Sequence, residues 1–155
     1  MSLYLLLKTL HILSATLLFG TGLGSAYYAL RAWRSGQLQV IATTFRHLVT
    51  ADWLFIATTA VFQPFSGLAL AKLAGWPLGQ VWLLWSAGLF VFAGLCWLPV
   101  LWLQIRVRDM AAEALAIGGE LPERANRYMC IWFVLGWPAF IAFIVIFWLM
   151  VAKPL

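Results

Sequence analysis

The sequence predicts an all-α integral membrane protein, a bundle of four transmembrane helices with both termini on the same side. Three observations support this fold class. Hydrophobic residues make up 65% of the chain, and only 10% are charged, whereas soluble domains carry about 25% charged residues. The charges leave four apolar runs long enough to cross a bilayer, since about 20 helical residues span about 30 Å of hydrocarbon. We expect a single transmembrane domain over residues 1–155.

The first two spans are predicted at about residues 3–33 and 44–72. The first has no basic start and stays apolar beyond the length of a signal peptide, so it is read as a span. It contains Gly20 and Gly24, a spacing typical of close helix packing in membranes; the alternative is room for a flat ligand close to the backbone. The second contains Pro64, which predicts a kink because proline frees a backbone carbonyl.

The third and fourth spans are predicted at about residues 80–106 and 126–151. Between them, the segment DMAAEALA predicts a short amphipathic helix on the cytoplasmic surface, and GGELP is expected to end it.

The net charge of +5 is distributed unevenly along the chain. Arginines flank the first and third connections: Arg31, Arg34, Arg46, Arg106, Arg108, Arg124 and Arg127. The positive-inside rule therefore predicts a multi-pass protein of the bacterial inner membrane with both termini periplasmic. No basic patch stands apart from the membrane edges, which argues against a nucleic-acid partner. The lipid bilayer is the expected partner, and a membrane partner protein or a homo-oligomer remains open.

Ionisable or amide side chains inside predicted spans are candidates for a functional site. His11 is placed about 10–12 Å below the outer end of the first span, and Gln63 about 13 Å below the outer end of the second. The two residues are therefore predicted to be level. Lys8 lies one helical turn further out, on the same helix face as His11.

His11 has three interpretations: a packed histidine bonded to Gln63 or a backbone carbonyl, the single ligand of a b-type haem, or a proton relay with Lys8. His47 cannot be a second axial ligand, because helical rise separates the two histidines by about 20 Å. Cys96 and Cys130 are predicted on the opposite side from His11, which disfavours a zinc or copper site. Without CxxC or CxxCH, a covalently attached c-type haem is not expected.

Asp52 is an acidic residue within the second span. A carboxylate is costly in lipid, so Asp52 is predicted to face the bundle interior. It would accept hydrogen bonds from Trp or Thr groups, pair with Arg46 or His47 through water, or form a proton or substrate site. Asp52 is therefore the candidate catalytic residue, although the sequence leaves open whether the protein is an enzyme.

Three stretches resemble a bacterial family of predicted integral membrane proteins of unknown function, and the likeness runs almost from end to end. The stretches are LLLKTLHILSATLLFGTGLGSA, DWLFIATTAVFQPFSGLALA and GWPAFIAFIVIFWLMVAKPL.

A more distant resemblance joins the chain to the membrane-embedded bacterial protoporphyrinogen oxidases and to the copper-resistance D membrane proteins. It rests on KTLHI in the first span, FRHL entering the second, QIRVRDMA after Trp97 and RANRYM opening the fourth. In the oxidases the first-span histidine is implicated in binding b-type haem, and KTLHI would give that role to His11. The resemblance implies a four-helix scaffold and haem, but not porphyrinogen oxidation, because RYMC follows Asn126 where the oxidases have a glutamate and a proline.

The leading functional hypothesis is a haem b-binding or redox-linked membrane protein. His11 would be the axial metal ligand, with Lys8 and Gln63 in contact with the cofactor, and Asp52 would handle protons. The alternatives are a non-catalytic scaffold or accessory subunit of a membrane complex, and a small-solute or proton carrier.

Overall fold

The computed structural model describes residues 2–154, and every regular element within them is helical. The elements are α1 (Leu3–Ser35), α2 (Leu38–Ala51), a π-helical segment (Asp52–Ala57), α3 (Thr58–Leu73), α4 (Val81–Ile117) and α5 (Arg124–Ala152). The helices α2 and α3 run continuously through the π-helical segment. With that pair counted as one, four helices of the described chain are long and apolar enough to span a membrane. The predicted fold class is confirmed.

The second span begins at Leu38, earlier than predicted. Ile41 and Phe45 are buried in the core, and Leu38 packs against it. Their spacing places them on one face of a helix, so burial of that face extends the helix back to Leu38. The connection from α1 is correspondingly tight, and Gly36 takes the left-handed conformation (φ 64°) that ends α1.

The predicted separate surface helix after the third span is wrong. Its residues instead continue α4 without interruption to Ile117. Met110 and Ala111 on this extension are buried in the core. No helix-breaking residue stands between Gln104 and Gly118, and Gly118 (φ 64°) ends the helix. At about 55 Å, α4 is much longer than the hydrocarbon layer requires.

The two ends of the bundle differ in composition. The basic end contains the α1–α2 and α4–α5 connections with their arginines, and the terminal end contains the α3–α4 turn, the start of α1 and the end of α5. Lys153 shows this arrangement directly, because its Nζ lies 5.2 Å from the ring centroid of Trp76 in the α3–α4 turn. The termini therefore share one side, as predicted.

The helices pack most closely at the basic end. The main core cluster joins residues of α1, α2, α4 and α5, with Phe45 and Val107 fully buried. Beyond the π-helical segment the second span changes partner: α2 packs on α4, whereas α3 packs mainly on α1. The bundle thus divides towards the terminal end into an α1–α3 pair and an α4–α5 pair, with a cavity between them.

The predicted packing role of Gly20 and Gly24 is not seen within the described chain. A Cβ built at either glycine would meet no atom within 4 Å. The pair therefore does not bring a second helix of this chain into close contact.

Candidate functional site

Three polar side chains meet inside the bundle and form the polar triad of Asp52, Gln104 and Trp132. The amide Nε2 of Gln104 donates to Oδ2 of Asp52 at 2.9 Å. The indole Nε1 of Trp132 donates to Oε1 of Gln104 at 3.2 Å. The exposed fractions are 2% for Asp52, 1% for Gln104 and 5% for Trp132. The triad therefore links the second, third and fourth spans by buried hydrogen bonds.

The π-helical segment begins at Asp52 and carries the triad's carboxylate. A π-helical turn inserts one residue relative to an α-helix and is often found at functional sites. The two threonines that follow form hydrogen bonds to backbone carbonyls of the segment. Thr58 Oγ1 donates to the carbonyl of Leu54 at 2.6 Å, and Thr59 Oγ1 donates to that of Ile56 at 3.2 Å. These bonds give the segment's carbonyls side-chain partners, which is common where a membrane helix is irregular.

A cavity of about 390 Å³ lies next to the triad, towards the terminal end, between α1, the second span, α4 and α5. Its volume is in the range of roughly 300–1,000 Å³ that is typical of small-molecule sites. The walls are mainly apolar and aromatic, and they include Phe19, Phe90, Trp97, Phe140 and Phe143.

All three members of the polar triad line this cavity. Within residues 2–154, Oδ2 of Asp52 is bonded to Gln104, and Oδ1 has no hydrogen-bond partner. Oδ1 is not one of the buried polar atoms that lack a partner, and Asp52 lines the cavity, so this oxygen is open to the cavity. The arrangement can therefore receive a hydrogen-bond donor or a positive charge from a molecule in the cavity.

Glycines give the cavity part of its width. Gly22, Gly94 and Gly136 line it, and a Cβ built at any of them would meet no atom within 4 Å. A Cβ at these positions would therefore project into free space without displacing a neighbour.

A second polar group lies nearer the terminal end, where α1 packs on α3. We call it the His11 cluster, and it comprises His11, Gln63 and Ser66. Nδ1 of His11 lies 2.7 Å from Oγ of Ser66, and Nε2 of Gln63 donates to the backbone carbonyl of His11 at 2.9 Å. A Cβ built at Gly67 would lie 3.4 Å from Cε1 of His11, so the imidazole is packed closely against α3.

The structure thus brings His11 and Gln63 together, through a backbone bond, and adds Ser66 as the side-chain partner of the imidazole. Lys8 is exposed, and its Nζ lies 5.7 Å from the ring centroid of Tyr4. None of His11, Lys8 and Gln63 lines the cavity. The cavity and the His11 cluster are separate places in the bundle.

The other candidate ligands are dispersed. His47 is exposed on α2, Cys96 is buried in α4, and Cys130 is exposed on α5. In residues 2–154, no three His, Cys, Asp or Glu side chains are grouped so that they could hold a metal ion. Asp52 makes no bond to Arg46 or His47, both of which are exposed.

The sequence did not point to Gln104 or Trp132. Gln104 stands within a long charge-free run, and Trp132 is one of ten tryptophans. One feature of the sequence could have indicated them: a carboxylate such as Asp52 is unfavourable in lipid, so it needs a polar partner from another span. Gln104 is the amide residue of the third span that lies at the same depth as Asp52.

A family model described as "Predicted integral membrane protein (DUF2269)" matches residues 5–154. The chain belongs to this family. The match agrees with the four membrane-spanning helices and assigns the chain no activity. No curated protein has a significant match to the chain. The solved structures also give no significant match.

Proposed function

We propose that this protein binds a small, mainly apolar molecule in the bundle cavity and recognises a donor head group, such as an amine or a hydroxyl, through Asp52. The observation that carries the proposal is the polar triad in the cavity wall, with Oδ1 of Asp52 left without a partner. Gln104 fixes the carboxylate by donating to Oδ2, and Trp132 fixes Gln104 in turn. The aromatic walls would hold the apolar part of the ligand.

The test uses octylamine, octanol and octanoic acid that carry the same alkyl diazirine. Each is added to the purified protein, photolysed, and mapped by mass spectrometry. We expect the amine and the alcohol to label the buried cavity residue Ala93 several-fold more than the ionised acid, because the ionised acid brings no hydrogen-bond donor to Oδ1 of Asp52. Equal labelling by the acid and the amine would contradict the proposal.

The variant Asp52→Asn sharpens this test. An asparagine oxygen can still accept from Gln104, so the bundle is expected to fold. The preference for the amine over the acid should be lost, because the amide nitrogen that takes the place of Oδ1 donates hydrogen bonds and cannot accept them. Asp109→Asn is the matched control, since Asp109 is exposed at the basic end and bonded to Arg108; it should leave the preference unchanged.

A second candidate function is binding of a b-type haem by His11, and the hydrogen bond between His11 and Ser66 favours it. Ser66 engages Nδ1 and leaves Nε2 as the available ligand atom, an arrangement typical of metal-bound histidines. A bound haem would supply one-electron chemistry. Lys8, one turn away, would offer a cation to a propionate. This site would lie outside the cavity, which His11 does not line.

Absorption spectroscopy tests the haem candidate. The purified protein, or the protein titrated with haem, should show a Soret band that His11→Ala removes. Absence of the band after titration, or a spectrum unchanged by His11→Ala, would rule the assignment out.

The charge distribution further supports insertion in a bacterial inner membrane with the basic end in the cytoplasm. Both termini would then be periplasmic. The polar triad would lie towards the cytoplasmic half of the bundle, and the His11 cluster towards the periplasmic half.

A further inference from the structure

The cavity has a side opening between α1 and α5. Most of its lining residues are buried or half-buried, but three are exposed: Leu23 at 50%, Tyr27 at 58% and Trp137 at 63%. Leu23 and Tyr27 belong to α1, and Trp137 belongs to α5. We call the space between them the α1–α5 gap.

The contacts around this gap explain why it is open. The helices α1 and α5 make few contacts with each other. Phe19 stacks on Phe140 with ring centroids 4.9 Å apart, which closes the cavity on the terminal side of the gap. On the basic side, the core cluster closes it, since Ala29 and Met129 are buried there. The opening is therefore bounded at both ends and faces sideways.

The gap faces lipid. Trp137 lies near the middle of α5, and Leu23 lies about three turns from the end of α1. At these positions the exposed surface of a membrane-spanning helix meets hydrocarbon chains.

We propose that the ligand is a lipid-soluble amphiphile that enters the cavity sideways from the bilayer through the α1–α5 gap. This inference rests on the proposed function and adds the class of ligand and its route. The end of the ligand that carries the donor head group passes between Leu23 and Trp137 and reaches Asp52. The apolar part of the ligand stays among the aromatic side chains of the cavity, which is open to the membrane through the gap.

The test compares two probes in liposomes: free diazirine-bearing octylamine, and a phospholipid whose acyl chain ends in the same amine and diazirine. The phospholipid head group stays at the membrane surface, so its acyl chain can reach the cavity only from the side. We expect both probes to label the cavity residues Ala93 and Gln104, which are buried and out of reach of the lipid that surrounds the bundle. Label from the free amine alone would overturn lateral entry and leave the proposed function standing. Absence of label from both would overturn both.

A bulky residue at the edge of the α1–α5 gap provides a second test of the entry route. Leu23→Trp should reduce labelling by the anchored phospholipid several-fold, because it narrows the gap. Leu17→Trp is the matched control, since Leu17 is similarly exposed on α1 but does not line the cavity. This variant should be labelled as strongly as the unmodified protein. Equal labelling of the two variants would overturn the assignment of the gap.

Discussion

Gln104 is the residue on which the polar triad depends, because it bonds Asp52 with its amide nitrogen and Trp132 with its amide oxygen. It thereby joins three membrane spans with one side chain. Interhelical hydrogen bonds in membrane proteins average only about 0.6 kcal/mol, but removal of the central partner leaves a buried acceptor and a buried donor unpaired together.

Gln104→Leu should therefore lower the free energy of unfolding by about 1–3 kcal/mol, measured by denaturant titration in detergent micelles. The control is Gln39→Leu, because Gln39 is exposed on α2; we expect a change within about 0.5 kcal/mol. Equal effects of the two substitutions would show that the triad bonds do not stabilise the bundle.

For single residues, the sequence predicted the depth of a side chain in the bundle better than it predicted which side chains that residue contacts. Helical rise placed His11 level with Gln63, and the structure brings the two into contact. The same reasoning could not identify Ser66 as the imidazole partner, because the rotation of α3 about its axis decides which side chain faces α1. That rotation depends on the π-helical segment, which composition does not reveal.

Among the single elements, the π-helical segment has the largest effect on how the helices pack. It separates α2, which packs on α4, from α3, which packs on α1. The sequence drew attention to Pro64 as the irregular point, yet Pro64 lies within α3, and the irregular turns begin at Asp52. One inserted residue leaves no hydrophobic pattern that a sequence reading could detect.

Deletion of Leu54, which is exposed within this segment, should convert the π-helical turn to a regular α-helix. Because a π-helical turn accommodates one extra residue, its removal keeps the rotation of α3 and leaves Gln63 and Ser66 facing α1. We therefore expect a melting temperature close to that of the unmodified protein. Insertion of one alanine after Ala60 instead adds about 100° of rotation and should turn Gln63 and Ser66 away from α1, with a large loss of thermal stability. A deletion variant as unstable as the insertion variant would contradict this role.

At the scale of the whole molecule, the two ends of the bundle carry different features. Composition and charge spacing predicted the number of spans and the shared side of the termini. They could not predict that the bundle divides into two helix pairs around a cavity, because that division follows from which helices pack together.

Cysteine accessibility tests the proposed orientation in a background in which Cys96 and Cys130 are replaced by alanine. Leu78→Cys, in the α3–α4 turn, should react with a membrane-impermeant maleimide in cells whose inner membrane is intact. Glu120→Cys, in the α4–α5 connection, should react only after that membrane is opened. The reverse pattern would place the basic end outside.

If the bundle cavity holds the ligand, a side chain that fills the cavity should prevent binding. Gly94→Leu projects into the cavity, where a Cβ meets nothing within 4 Å. Gly88→Leu adds the same side chain on the exposed face of the same helix. The measurement is photolabelling of the buried cavity residue Ala93 by diazirine-bearing octylamine. We expect Gly94→Leu to lose most of this label and Gly88→Leu to retain it; equal labelling of the two variants would show that the ligand does not lie in the cavity.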